Sequence, residues 1–324
     1  MSEHTPKSPI TGLHHVTATV TDAQADLDFY VGLLGLRLVK QTVNFDNPGV
    51  YHFYYGDEQG TPSTIMTTFP YRGWGVPVGR RGAGQIGTTT FAVPAGALAE
   101  WEERLRDAGA GWEADRTPLG EPVFRLEDPS GLLIELREVE GDSRAPWTGG
   151  GVPAEIAISG VESVLLTLRD PLPTLELLTG LLGYREVGRA GRRVRVEVGA
   201  GGPGRALELE HVPDAPPAVN GLGTVHHVAM AISQSDQQLQ LRSELLSAGF
   251  HVTEVRDRCY FQSIYFREPG GVLFEVATEG PGFAIDEEPG QLGEALRLPP
   301  WEEANRPQIE AQLAPIELPK RASP

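Results

Sequence analysis

Residues 12–35 read GLHHVTATVTDAQADLDFYVGLLG. The opening nine alternate as a strand does, and after Asp22 the apolar residues Leu27, Tyr30 and Leu34 recur at the spacing of one helix face. Three more strand-like runs precede Pro70: 37–43 (RLVKQTV), 51–56 (YHFYYG) and 63–69 (STIMTTF). Turn-forming residues divide them, Asp46-Asn47-Pro48-Gly49 and Asp57 to Pro62. The unit is therefore strand, helix, three strands. It is written three more times. QIGTTTFAV leads through ALAEWEERLRDAG, with Leu98, Trp101 and Leu105 in register, to LLIELREV. VESVLLTLR leads through LPTLELLTGLLGYREVG to RALELEHV, and TVHHVAMAI through QQLQLRSELLSAG to GGVLFEVAT.

The repeats define four βαβββ modules, at residues 12–69, 84–139, 158–213 and 223–280. A single helix covers only one face of a small sheet, so modules are expected to pair around shared clefts. The expected class is α+β, with two open barrel-like sheets. The Gly- and Pro-rich stretches 70–83 and 140–157 read as linkers, and the acidic, Pro-rich tail 281–324 as a segment that packs on the surface or stays mobile.

Composition narrows the function. With 27 basic and 44 acidic residues the chain carries a net charge of −17 and has no long basic run, which argues against nucleic acid and anionic membranes as partners. The N-terminus MSEHTPKSPI lacks an apolar signal core, and no run of about 18 apolar residues could span a bilayer, so a cytoplasmic address is expected. A single cysteine, Cys259, excludes an internal disulfide and a multi-thiolate metal cage. Any metal must be held by nitrogen and oxygen.

The four opening strands differ in what they carry. The first has His14-His15 and the fourth His226-His227, where the second has Thr88-Thr89 and the third Glu162-Ser163. Strand neighbours point to opposite faces. His15 shares a row with Thr17 and Thr19, while His14 lies with Val16, Ala18 and Val20; His227 lies with Ala229 and Ala231, and His226 with Val228 and Met230. The apolar rows should cover the helices, leaving His15 and His227 to face the cleft. Glu275, between apolar neighbours in VLFEV, is a carboxylate too costly to bury unpaired. The first module offers only Met66, Thr67 and Thr68 near the matching place, and Glu135 in the second reads as a relic or a structural group. His15, His227 and Glu275 can converge only if module one pairs with module four and module two with module three. Two histidines and a carboxylate with open positions are the donor set of non-haem iron(II) centres. His52 reads as a satisfied structural histidine, as do His4, His211 and His251, and Cys259 as inert packing.

At these residues the chain resembles the vicinal oxygen chelate superfamily, built from paired βαβββ units, and within it the hydroquinone-type ring-cleaving dioxygenases. The likeness is carried by GLHHVTATVTDAQADLDFYVGLLGLRLVKQTVNFD, YHFYYGD, TIMTTFP, GTVHHVAMAI, DRCYFQSIYFREPGGVLFEVATEGPGFAIDE and PPWEE. It implies iron(II), with manganese(II) as alternative, at His15, His227 and Glu275. It further implies catalytic or substrate roles for His14, Thr17, His226, Arg258 and Tyr265. The implied partners are O₂ and a small aromatic substrate of the hydroquinone or catechol type; a homo-oligomer is left open. Two positions depart from the pattern. Cys259 stands where a glycine or polar residue is expected, which leaves the pocket wall open, and Glu162 where a histidine is frequent. Two rivals remain on this fold. A glyoxalase-like isomerase would use one more carboxylate ligand, and a quinone-binding stress protein would need no metal triad.

Overall fold

The computed structural model describes residues 9–318; His4 lies outside them. Sixteen strands are formed among the described residues. The first module contributes β1 (Ile10–Val20), β2 (Arg37–Asn44), β3 (Asn47–Gly56) and β4 (Ile65–Pro70), and the second β5 (Gln85–Pro94), β6 (Trp112–Arg116), β7 (Pro122–Glu127) and β8 (Leu133–Val139). The third has β9 (Gly160–Leu168), β10 (Arg185–Ala190), β11 (Arg193–Glu197) and β12 (Ala206–His211). The fourth has β13 (Thr224–Ile232), β14 (Arg256–Asp257), β15 (Phe261–Arg267) and β16 (Leu273–Pro281). One sheet runs β14-β15-β16-β13-β1-β4-β3-β2 and the other β10-β11-β12-β9-β5-β8-β7-β6. Module one is thus joined to module four through antiparallel β1–β13, and module two to module three through β5–β9. This is the α+β architecture of two paired sheets.

Each module's helix packs on the convex side. α1 (Ala23–Leu27) starts where the Asp22 carboxylate accepts a bond from the Ala25 N–H (2.9 Å), a cap that contributes about 1 kcal/mol. It then widens into a π-helical stretch, Asp28–Leu33, instead of continuing as the regular helix expected. The widened turn lets the sequence neighbours Phe29 and Tyr30 both be buried. Val16, Ala18 and Val20 lie beneath this helix at 0% exposure, and burying each valine stabilises the fold by roughly 1.5–3 kcal/mol. In the other sheet α2 (Leu98–Asp107) buries Trp101, whose indole N–H donates to the Ile156 carbonyl (2.8 Å).

Strand alternation is interrupted at matching places. The β1–β13 register steps from Leu13↔Met230 to His15↔Ala229, and from Thr17↔His227 to Ala18↔Val225, so His14 and His226 are each an extra residue in the ladder. In the second sheet the same steps leave Gly87 and Glu162 as the extra residues. The counterpart of His226-His227 in module two is therefore Gly87-Thr88, one residue earlier than the Thr88-Thr89 expected. A cross-strand check agrees: Glu275 lies opposite Ala229 and Glu135 opposite Thr90, each two residues past the pair.

The described part of the tail packs against the first sheet. Buried Lys40 binds Asp286 (2.6 Å) and Glu287, the Arg297 N–H donates to the Gln41 carbonyl (2.9 Å), and Phe283 and Leu292 are buried. No helix among the described residues is long and apolar enough to cross a membrane.

Candidate metal centre

β1, β13 and β16 lie side by side, and each sends one donor atom to a common point. Nε2 of His15 and Nε2 of His227 are 3.3 Å apart, and Oε2 of Glu275 lies 3.3 Å from the first and 2.8 Å from the second. All three side chains are buried. Buried Oε2 has no hydrogen-bond partner among the described residues, and the three donor atoms lie together around a shared centre. Donors held ~2.1 Å from one cation and at right angles stand roughly 3.0 Å apart, so this set fits three adjacent positions around a divalent metal. Glu275 is held as a carboxylate. Burial works against its charge, but the imidazoles of His15 and His227 outweigh burial and keep it well below the ordinary carboxyl range. Its other oxygen accepts a bond from Ser263 Oγ.

The bulges decide what stands behind the donors. Alternation would send His14 and His226 to the far face; the extra residue in each ladder turns both members of a pair toward the same side. Nδ1 of His14 lies 2.9 Å from Nδ1 of His15, and Nδ1 of His226 lies 2.7 Å from Nδ1 of His227. With Nε2 of His15 and His227 left as lone pairs for a cation, their protons sit on Nδ1 and are donated to the neighbouring ring, which fixes tautomer and orientation. His14 is buried against the Phe261 ring (4.8 Å), and burial together with His15 pushes its pKa down to about 3. His226 opens to the cavity.

That cavity, about 420 Å³, has the three donors on its floor, and Phe45, Tyr54, Phe69, Tyr71 and Phe261 among its walls. Thr17 lines it beside the donors and accepts a bond from Thr67 (2.9 Å). Tyr265 packs its ring edge-on to His227 (5.9 Å), and Arg258 lies over the Tyr265 ring (5.3 Å) while its Nε donates to the tyrosine oxygen (3.1 Å). Asp46, in the turn from β2 to β3, meets Arg258 across the mouth at 3.4 Å. The structure thus brings His15, Thr17, His226, His227, Arg258, Tyr265 and Glu275 to one cavity, with His14 directly behind it.

Three participants escaped the sequence reading. Ser263 shares the Tyr265 face of β15 by simple alternation, so a signal existed. Asp46 read only as a turn former. His52 read as structural, yet it lines the cavity. His211 and His251 are exposed. Cys259 does not line the cavity; it is half-buried with φ of 62°, a left-handed backbone that explains the expectation of glycine there. Burial, then Asp257 and Asp286, pushes its thiol up to about 12, which leaves it unreactive.

Two module pairs with this donor set agree with the match of residues 12–136 and 160–276 to the family described as Glyoxalase/Bleomycin resistance protein/Dioxygenase superfamily. The chain belongs to this superfamily. Among superfamily proteins it is 44% identical to MhqO of Bacillus subtilis (strain 168), assigned by name to the ring-cleaving dioxygenases, over 95% of this chain and 97% of that one. It is 36% identical to the chlorohydroquinone/hydroquinone 1,2-dioxygenase of Sphingobium indicum, over 90% and 92%. A crystal structure of a Bacillus subtilis protein named as a dioxygenase superposes with a TM-score of 0.92 at 43% identity, covering 97% of this chain and 99% of that one.

Proposed function

We propose that the protein is an iron(II)-dependent dioxygenase that opens the ring of a hydroquinone- or catechol-type substrate with O₂, manganese(II) being the alternative metal. The observation that carries this reading is the convergence of two imidazoles and one carboxylate on the floor of an aromatic-walled cavity, with the cavity side free for further ligands. The names of the relatives support it.

His15, His227 and Glu275 would hold the metal, which when bound supplies coordination of substrate and O₂ and electron transfer between them. The aromatic walls hold a flat ring and exclude water. Arg258, braced by Tyr265 and Asp46, places a guanidinium where negative charge develops on the substrate. With Nδ1 accepting from His227, His226 presents Nε2–H to the cavity and can donate a hydrogen bond to a substrate oxygen. A glyoxalase-type isomerase fits less well. The first-module counterpart of Glu275 is Thr67, opposite Thr17 as Glu275 is opposite Ala229, and it supplies a hydroxyl where a fourth ligand would be needed.

The test is oxygen uptake by the iron(II)-loaded protein over a panel of substituted hydroquinones and catechols, with product mass spectrometry. Consumption of O₂ matched by a ring-opened product is expected. Uptake with none of them overturns the reading.

A further inference from the structure

His52 stands apart from the metal cluster. It is on β3, two strands from the His15 strand β1 and three from β13, so roughly 10 and 14 Å away along the sheet at ordinary strand spacing, yet curvature returns it to the same cavity. Its ring is clamped between Tyr54 and Phe69, with centroids 4.1 and 4.2 Å away. A chain of polar groups beneath it has a direction. Thr67 Oγ1 donates to Thr17 Oγ1, so its own acceptor site takes the proton of His52 Nε2 at 2.9 Å. Nδ1 of His52 is left as a lone pair. It has no partner among the described residues and is not sealed from solvent, and because the ring lines the cavity it opens there. Burial, and then the imidazoles of His15 and His227, hold this ring far below the usual histidine pKa, so the lone pair persists at neutral pH.

An acceptor fixed on a wall away from the donors is matched by a ring with a hydroxyl at its far end. A 1,4-diol has one when its other oxygen is at the metal; a 1,2-diol with both oxygens at the metal does not. Taking the proposed dioxygenase site as given, we infer that His52 Nδ1 accepts a hydrogen bond from the substrate hydroxyl farthest from the metal and selects rings that carry one. His52 is then a substrate-binding residue, and Thr67 the group that orients it.

The experiment measures binding of hydroquinone and of 4-methoxyphenol, the same ring with its far oxygen unable to donate, to the iron(II)-loaded protein under argon. Wild type should prefer hydroquinone by roughly tenfold, the worth of one hydrogen bond to a buried acceptor. His52→Phe, which keeps a ring in the clamp, should bring the ratio to about one, and Thr67→Val should lower it part-way. An unchanged ratio in His52→Phe, or no preference in wild type, overturns the inference. Should His52→Phe fail to fold by circular dichroism, Thr67→Val decides, and an unchanged ratio there overturns it. Admitting air separates the two readings. Preference that depends on His52, with no oxygen uptake from any hydroquinone or catechol of the panel, refutes the dioxygenase and leaves His52 standing; uptake with an unchanged ratio refutes His52 alone; a wild type that binds neither ring and consumes O₂ with no member of the panel refutes both.

Discussion

Where the first sheet carries His15, His227, Glu275 and Thr67, the second carries Ser163, Thr88, Glu135 and Glu208, and among these carboxylates lie guanidinium groups. Arg137, 2% exposed, binds Glu162 (2.8 Å) and Glu208 (2.9 Å); Arg195 binds Glu208 (2.8 Å) and both oxygens of Glu121 (2.6 Å each); Arg125 binds Glu135 (3.0 Å). Although partial burial opposes its charge, Arg195 and Arg137 draw Glu121 down to about 2. The two sheets have the same strand order and the same pair of bulges between their central strands. One neutralises its buried carboxylates with its own arginines and has no donor to spare. The other leaves a carboxylate and two imidazoles without an internal cation, and that is what makes it a site.

The most drastic way to break this contrast is to remove a donor. Metal per folded chain in His227→Ala or Glu275→Ala should fall below about a tenth of wild type, with turnover lost alongside, because two donors seldom retain a divalent ion that three hold. Elemental analysis after gel filtration reads this directly. The matched change in the other sheet, Glu208→Gln, should leave metal per folded chain unaltered. Metal loss there would show that the sheets are not independent in this respect.

The second sheet should instead respond in stability. Arg137→Met strips buried Glu162 of its cation, while Glu208 keeps Arg195 and Arg193, and a charge left unpaired in such a place costs about 3–5 kcal/mol. The urea midpoint should fall accordingly while metal per folded chain stays at the wild-type value. A change below about 1 kcal/mol would mean that water or Arg195 takes over, and that the guanidinium core is not structural.

How much of this contrast could be read in the residues depends on the range of the interactions involved. Alternation on β1 placed His15, Thr17 and Thr19 in one row, and that row lines the cavity. The pairing of module one with module four followed from a carboxylate present in one and missing in the other. The bulges were not legible, since neither His14 nor His226 carries a glycine or proline signal, and one extra residue reverses the face of its neighbour. The slip to Gly87-Thr88 has the same origin. That His52, read as a satisfied structural histidine, also lines the cavity was not legible, because its surroundings come from β4, through Thr67 and Phe69, and local pattern says nothing of a neighbouring strand. Arg137 shares a row with Glu135 on β8, and Arg193 and Arg195 share one with Glu197 on β11, but which carboxylate each arginine meets is a tertiary fact.

Smaller effects should come from the layer behind the donors. His14→Ala or His226→Ala removes the acceptor for a donor ring's Nδ1–H, a change that typically weakens metal affinity by about 10–100-fold without abolishing it. Competition with a fluorescent chelator measures it. Glu162 is the bulged residue in the second sheet that corresponds to His14, as Gly87 does to His226, and Glu162→Ala should leave the affinity at wild type. If His226→Ala also left it unchanged, the paired-histidine arrangement would be dispensable for metal holding.

A last difference concerns what the helices bury. The Leu27, Tyr30, Leu34 stripe of the first module corresponds to Leu98, Trp101, Leu105 in the second, which puts Asp26 opposite apolar Ala97. Asp26 is 2% exposed and accepts from Tyr55 (2.6 Å) and Thr68. Burial raises its pKa from 3.8 to about 8 despite those two bonds. Between about pH 4 and pH 8 the folded chain therefore retains a proton that the unfolded chain has released. The folded state binds more protons across that window, so stability is fully present below the unfolded pKa and declines as pH rises, by at most about 1.4 kcal/mol per unit from this group. Asp26→Asn has nothing to titrate, and its unfolding free energy should fall less steeply than wild type's between pH 5 and pH 8 in the metal-free protein. Parallel curves would mean that Asp26 is ionised when folded and that its two hydroxyl donors suffice to hold the charge.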